Sequence, residues 1–559
     1  MERQSLVDLY SHRTLRTICS EVLLILCSTI VMALAFPSAV SMNGLSLLAF
    51  VGLIPMFAVI HTTRLRLTPL YGFLWGLLFY LIFNYWLKSF HPLAILIAPC
   101  IKGAELLLLF PLLKLIDTWF KKRRYIAMAI LYVSYTYFQA HWFAGYPYGM
   151  LGYATYNLLP FIQITSITGI WGINFLMVIP QIWLGLYVGD YLLGNVKTSL
   201  KEQVKAYKID VIVFLCIFIA NLIFGFIFMH VWENKTPDKQ WKVATIQHSA
   251  DTWKGGYLTY KRNFNNLRMY SLQAIEENPD IVLWSETAFV PSVAWHENYP
   301  SASDSDTDEL VKEFVDFGKD LPVPLVTGNP DGVIDDPSKP AIAADGSWNR
   351  QDYNSVIFFE NGKIKNTYRK QHLVPFTEYF PYEKQLPLFY NFLKAKDFHW
   401  WLQGSDPVVF QTDNGVKFST PICFEDVFGE LSANFVKNGA NVLVNLTNDG
   451  WSRSTVAEEQ HAAIAVFRSI ENRKATVRST NSGITCMIDT VGHIIDPMEA
   501  FQAGWHIYDV PVYESSTNGM TFFTLHDNWL AQICNVASLA LLIVGAFLQF
   551  MRKRTKEKG

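Results

Sequence analysis

Three residues far apart in the chain, Glu286, Lys370 and Cys423, are of the types that acyl transfer through a thioester requires. Such a reaction needs a thiol or thiolate to attack, a carboxylate to take and return its proton, and a fixed cation or amide donors for the oxyanion. Cys423 ends an apolar run in PICFED (421–426), with Glu425 and Asp426 just beyond it. A cysteine in such a run is by itself ordinary packing, because cysteine is among the most buried residue types. Two adjacent carboxylates at the end of an apolar strand are not, and they imply that something nearby uses or balances charge. Glu286 closes IVLWSE beside Trp284, where partial burial would raise a carboxyl toward the range of a general base. Lys370 lies in YRKQHLVPFTEYFP (368–381), a basic segment running into an apolar, proline-punctuated loop that can hold an ammonium still. Against these roles stand a solvated strand end for Glu286 and a surface position for Lys370.

The elements that must position these residues are of two kinds. Residues 238–515 alternate short β-branched runs (KVATIQ, IVLWSE, VPLVTG, SVIFFE, FSTPICFE and NVLVNLTND) with helical stretches, the pattern of buried strands in an α/β domain. Several runs end in polar residues, Gln247, Glu286, Glu425 and Asn448, where α/β sheets present chemistry. Residues 300–308 (PSASDSDTD) read as a mobile polar loop. The rest is built for lipid. The 559 residues are 51% hydrophobic and 17% charged, against roughly 25% charged in an ordinary soluble domain. Apolar runs long enough to cross a bilayer lie near 17–36, 45–61, 69–87, 93–117, 125–143, 160–190, 209–231 and 529–551, about eight spans in all.

Lysines and arginines in short loops remain on the cytoplasmic side, and here they alternate. Arg13 and Arg16 precede the first run, Arg64 and Arg66 follow the second, Lys121 to Arg124 follow the fourth, and Lys197, Lys201, Lys205 and Lys208 follow the sixth. A basic tail, MRKRTKEKG, closes the chain. The expected organisation is a membrane domain over 1–231 with seven helices, an outward-facing catalytic domain over 232–528, and a last helix with a cytoplasmic tail over 529–559. Ala33-Leu34-Ala35 could instead be a signal-peptidase site, which would leave the orientation unchanged. A net charge of -2 without a basic face gives no case for nucleic acid. The seven cysteines form no disulfide framework and the thirteen histidines show no metal-ligand spacing, so neither metal nor other cofactor is expected.

The order WSETA, YRKQHLVPFTEYFP, PICFEDVF, LTNDGWS and RSTNSGIT resembles the nitrilase (carbon-nitrogen hydrolase) superfamily. With AFPSAVSMNGLSLLAFVGLIPMF (35–57), GFLWGLLFYLIFNYWL (72–87), GYPYGMLGY (145–153), QITSITGIWGINFL (163–176) and TFFTLHDNW (521–529), the chain resembles the apolipoprotein N-acyltransferase family. That resemblance implies a multi-pass α-helical membrane domain joined to a nitrilase-like α/β domain, a four-layer αββα sandwich. It implies Glu286 as general base, Lys370 as oxyanion stabiliser, Cys423 as nucleophile and Glu378, eight residues beyond the lysine, as a supporting carboxylate. Glu425 and Phe424 follow the nucleophile as an acid and an aromatic do in the family, though the phenylalanine brings no hydroxyl. Trp253 is similar to the family's tryptophan at the substrate cleft, and fits a core or interfacial tryptophan as well. The ending of LTNDGWS departs from the family's bulkier aromatic-glycine ending, and Asn448 and Asp449 read as loop-ordering residues.

The aromatic segment 386–404, with Trp400 and Trp401 beside His399, Lys394 and Lys396, fits an interfacial lid that admits an acyl chain, or alternatively core. Lys102 and Glu105, at i, i+3 within an apolar run, are spaced to pair. The resemblance implies a bacterial inner-membrane enzyme with its catalytic domain in the periplasm. Its acyl donor would be a phospholipid, with phosphatidylethanolamine the donor the family implies. Its acceptor would be the diacylglyceryl-cysteine amine of an apolipoprotein. The alternative is a membrane-anchored nitrilase-type amidase in which water resolves the acyl-enzyme.

Overall fold

The computed structural model describes residues 15–90, 94–194, 198–300, 304–385, 387–394, 400–514 and 519–557. The chain divides into two compact units. The helical unit takes the chain up to His141, then Tyr146–His230 and Asn528 onward; the other comprises Trp142–Gly145 and Val231–Asp527.

Among the described residues, six helices are long and apolar enough to cross a membrane: Leu15–Ala35, Leu65–Phe83, Ala94–Trp119, Ile170–Leu192, Lys208–Glu233 and Trp529–Thr555. The other two of the eight expected runs are helical but fall short for different reasons. The run at 45–61 breaks into a 3-10 turn, Ser46–Phe50, and a short helix, Ile54–Thr62. The run at 125–143 becomes Arg124–His141, whose tyrosines and Gln139 dilute its apolar character. Away from water, a broken helix must find partners for its freed backbone groups inside the protein. Gln181 supplies them here, accepting from the Leu53 amide at 2.8 Å and donating to the Ala49 carbonyl at 3.0 Å. Lys102 and Glu105 do pair, at 2.7 Å and buried.

The second unit contains two six-stranded sheets. The first runs Gly504–Val512, Lys239–Gln247, Ile281–Trp284, Leu325–Gly328, Ser355–Glu360, Lys363–Arg369. The second runs Ile494–Ile495, Cys486–Ile488, Thr476–Thr480, Val442–Thr447, Lys417–Ser419, Phe410–Gln411. Their central strands are parallel, which buries both faces of each. The sheets face each other: Trp241 packs on Phe418 at 5.2 Å between ring centroids, and Ser479 donates to the Leu283 carbonyl at 3.3 Å. Helices Tyr257–Ile275 and Ser305–Asp320 cover the far side of the first sheet, where Phe264, Leu267, Phe314 and Phe317 meet Trp284, Phe289 and Phe359. On the second sheet lie Gly429–Lys437 and Thr455–Asn472, the latter buried over nearly its whole length. This is the αββα sandwich.

The polar stretch at 300–308 is not a loop throughout; it is helical from Ser305, while 301–303 fall outside the described residues. Its Asp and Ser residues open the helix, where acidic residues favour the positive end of the dipole, and Leu310, Val311 and Phe314 then supply the buried face.

Candidate active site

Glu286 emerges two residues beyond strand Ile281–Trp284, and the backbone there is tight. Thr287 takes a positive φ of 45°. Gly328, ending the neighbouring strand, lies so close that a Cβ on it would sit 2.3 Å from the Thr287 amide nitrogen and 2.7 Å from the Glu286 Cα. Only glycine lets the two strand ends approach this way.

Lys370 follows strand Lys363–Arg369, and its backbone is held on both sides: its amide donates to the Asn354 carbonyl at 2.8 Å, and its carbonyl accepts from the Gly404 amide at 2.7 Å. Its ammonium is fully buried between two carboxylates, 2.8 Å from Glu378 Oε1 and 3.4 Å from Glu286 Oε1. Asn354 Nδ2 donates to the same two oxygens, at 2.8 Å to Glu286 and 3.1 Å to Glu378. The remaining oxygens are held by backbone: Asn448 N donates to Glu286 Oε2 at 2.9 Å and Val374 N to Glu378 Oε2 at 2.8 Å. Every carboxylate oxygen therefore has a donor, the condition under which buried charge is tolerated. Burial works to lower the Lys370 ammonium, but Glu378, Glu286 and Cys423 together carry it above its ordinary value, so it stays charged. Burial also raises Glu286, opposed by Lys370 and reinforced by the Glu378 charge.

Cys423 opens a 3-10 turn, Cys423–Val427, in the left-handed region at φ 49°. A non-glycine residue there is strained and persists only where its surroundings hold it, which is common for residues presented to substrate. Glu425 does the holding. Fully buried, it accepts from the amides of Ile422 (2.8 Å), Gln371 (2.6 Å) and His372 (2.9 Å) and from the Tyr368 hydroxyl (2.9 Å). One carboxyl thus ties the cysteine turn to the lysine segment, and burial pushes it up to about 7. The thiol is raised well above its usual value, first by burial and then by the Glu286 charge, with Lys370 and the Thr447 hydroxyl pulling the other way. It rests protonated, under the direct influence of the Glu286 charge. Attack therefore has to coincide with transfer of the thiol proton to that carboxylate.

The structure thus brings Glu286, Lys370, Glu378 and Cys423 together, with Glu425 on the other side of the turn. Phe424 is buried edge-on against Phe428 at 5.2 Å, a packing position. Trp401 lies in a small sheet beside Asp352, and its amide donates to the Glu378 carbonyl at 2.9 Å; Trp400 packs on Phe380 and Tyr390. Both are half-buried, while 395–399, with His399 and Lys396, lie outside the described residues, as does the Lys394 side chain. Trp253 is exposed and packs edge-on against Trp451 at 5.1 Å, with Arg453 over its ring. Sequence reasoning missed Asn354, Thr447 and the amide of Asn448. Neutral side chains and backbone groups carry no chemical signature of their own, and their partners lie up to 162 residues away.

A carboxylate, an ammonium and a cysteine gathered where two face-to-face sheets end, in a chain that also carries membrane-crossing helices, define a membrane-bound member of the carbon-nitrogen hydrolase class. Residues 242–514 match the carbon-nitrogen hydrolase domain, and residues 28–183 match the apolipoprotein N-acyltransferase N-terminal domain. Apolipoprotein N-acyltransferase 1 of Treponema denticola is 34% identical over 94% of this chain and 97% of its own. Its namesake in Treponema pallidum is 34% identical over 96% of this chain and 98% of its own. A solved amidase of the nitrilase superfamily from Nesterenkonia AN1 is similar over 49% of this chain and 93% of its own, at 17% identity and a TM-score of 0.34. The chain belongs to the apolipoprotein N-acyltransferase family.

Proposed function

We propose that this membrane enzyme transfers a fatty acyl chain from a phospholipid, through a thioester on Cys423, to the N-terminal amine of a diacylglyceryl-cysteine on an apolipoprotein. The observation that carries the reading is the strained, part-exposed Cys423 beside a buried Glu286–Lys370–Glu378 cluster. Glu286 takes the thiol proton as sulfur attacks the donor ester carbonyl, and Lys370 stabilises the oxyanion. A lysophospholipid leaves with the returned proton. The acceptor amine then attacks the thioester, gives its proton to Glu286, and the amide product departs as the thiol re-forms. Glu378 keeps Lys370 charged and fixed, and Glu425 holds the turn.

Phosphatidylethanolamine is the donor we favour. The alternating loop charges support an inner-membrane location with residues 232–528 on the periplasmic side, between a membrane domain over 1–231 and a last helix over 529–559. Trp253, Trp400 and Trp401 are proposed to line the path of lipid to the site. Similarity to relatives over the helical segments as well as the α/β unit favours transfer to a lipid amine over hydrolysis of a small amide. The test supplies purified protein in detergent with acyl-labelled phosphatidylethanolamine and a synthetic diacylglyceryl-cysteine peptide. Label in amide linkage on the peptide is expected with the natural chain and not with Cys423→Ser; free fatty acid as the main product would overturn the transferase reading.

A further inference from the structure

Directly behind the cysteine turn lies a second buried cluster of charged groups that the reaction above does not use. His461, on helix Thr455–Asn472, is 2% exposed. Its Nε2 is 2.8 Å from Asp426 Oδ1, and its Nδ1 is 2.8 Å from Asp449 Oδ1. Asp426 belongs to the Cys423–Val427 turn; Asp449 directly follows Asn448, whose amide is bonded to Glu286. One imidazole therefore spans the element that carries the nucleophile and the loop that holds the base.

The surrounding groups set its charge. Arg478, fully buried, bonds Asp426 Oδ2 and lies 3.7 Å from Asp449 Oδ2. Arg468 on the same helix donates to the Val427 carbonyl at 2.8 Å and is paired with Glu471. Glu458 packs against Asp449, and burial together with that neighbouring charge raises it well above the ordinary carboxylate range. Two aspartates thus face one arginine, and balance requires the imidazole to be positive. Burial alone would discharge it, but the two aspartates carry its pKa up to about 9. Asp449 also acts on the cysteine: its negative charge raises the Cys423 thiol.

We propose that His461 is a positioning residue for acyl transfer, an imidazolium clamped between Asp426 and Asp449 that locks the cysteine turn to the Glu286 loop and offsets the Asp449 charge opposing thiolate formation. The inference rests on Cys423 being the nucleophile, but not on the identity of donor or acceptor.

The test uses full-length protein in detergent micelles, alkylated with iodoacetamide from about pH 6 to about pH 10 and read at the Cys423 peptide by mass spectrometry. His461→Gln should alkylate about tenfold more slowly at neutral pH, the loss expected when one nearby positive charge is removed from a buried thiol's surroundings. Asp449→Asn, alone, should alkylate faster than the natural chain. In the His461→Gln/Asp449→Asn pair the alkylation profile should return toward that of the natural chain, because the charge to be offset has gone. A merely structural histidine predicts the reverse, a double variant no better than His461→Gln, and that result would overturn the proposal. So would an unshifted profile in His461→Gln, or slower alkylation in Asp449→Asn if His461→Gln does not fold. Because alkylation needs no lipid, failure of the donor assignment would appear separately, as a reactive Cys423 that no phospholipid acylates.

Discussion

Replacing Lys370 with methionine tests the charge balance of the site most severely. The ammonium sits 2.8 Å from one carboxylate and 3.4 Å from the other. At an effective dielectric of about 20 these separations correspond to gross attractions of about 6 and about 5 kcal/mol. Desolvation of three buried charges offsets most of that sum, and removing one partner of a buried pair costs about 3–5 kcal/mol net. Methionine keeps the length and loses the charge, so two carboxylates sharing the Asn354 amide face each other uncompensated, and one must take a proton. Glu286, already raised by burial, rises further without Lys370 to hold it down. Two effects follow. Acylation of Cys423 should fall by about a hundredfold to a thousandfold, as when an oxyanion donor is removed. The acid limb of the single-turnover pH–rate profile should also move to higher pH, because the base must lose its proton to act. The assay is rapid-quench acylation with a labelled phospholipid, with Lys370→Arg as the control that keeps the charge but not the geometry. Arginine should lose rate without the same movement of the acid limb. A Lys370→Met enzyme within fivefold of the natural rate, or with an unmoved acid limb, would refute the reasoning.

Three further outcomes follow from the same geometry. Glu378→Gln should slow acylation about tenfold to a hundredfold, the loss of one charge-assisted hydrogen bond, but move the acid limb to lower pH, because the Glu378 charge raises Glu286; a shift in the other direction would contradict the arrangement. Gly328→Ala drives a Cβ to 2.3 Å from the Thr287 nitrogen and should cost about 1–3 kcal/mol of stability, together with a loss in kcat and little change in KM for the donor, measured by thermal melting and steady-state kinetics. His461 is raised from 6.5 to about 9 on folding, so its contribution to stability is complete below about pH 6.5 and is lost as pH rises through about 9. Stability in detergent should fall across that window by on the order of 3 kcal/mol at most, read as a falling apparent melting temperature, and the fall should be shallower in His461→Gln.

How much of this was legible beforehand depends on whether the signal was local. The runs ending at Gln247, Glu286 and Asn448 contain strands, Lys239–Gln247, Ile281–Trp284 and Val442–Thr447, because continuous β-branched stretches have few other buried solutions. Lys363–Arg369 and Gly504–Val512 were missed as strands, since edge positions carry the polar residues that mask the pattern. Against about eight expected spans, six helices among the described residues have sufficient length and apolarity, because hydropathy alone does not see that 45–61 breaks after Phe50 or that polar side chains dilute 125–143. At the site, residue type and order singled out Glu286, Lys370, Glu378 and Cys423. The adjacent carboxylates Glu425 and Asp426 were suspected jointly, yet they face opposite ways: one collects the amides around Lys370, while the other meets His461 and Arg478, 35 and 52 residues further on. Nothing local distinguishes the two, because the distant partners of Glu425 come from the end of a first-sheet strand and those of Asp426 from the second sheet and its covering helix.

The central claim is that fatty acid resides on one sulfur during turnover, and intact-mass measurement of the purified protein after incubation with phospholipid, without acceptor, tests it most directly. A single fatty-acyl adduct is predicted, mapping to Cys423, sensitive to hydroxylamine and discharged by a diacylglyceryl-cysteine peptide. An unmodified Cys423 in a preparation that still acylates the peptide would contradict the account.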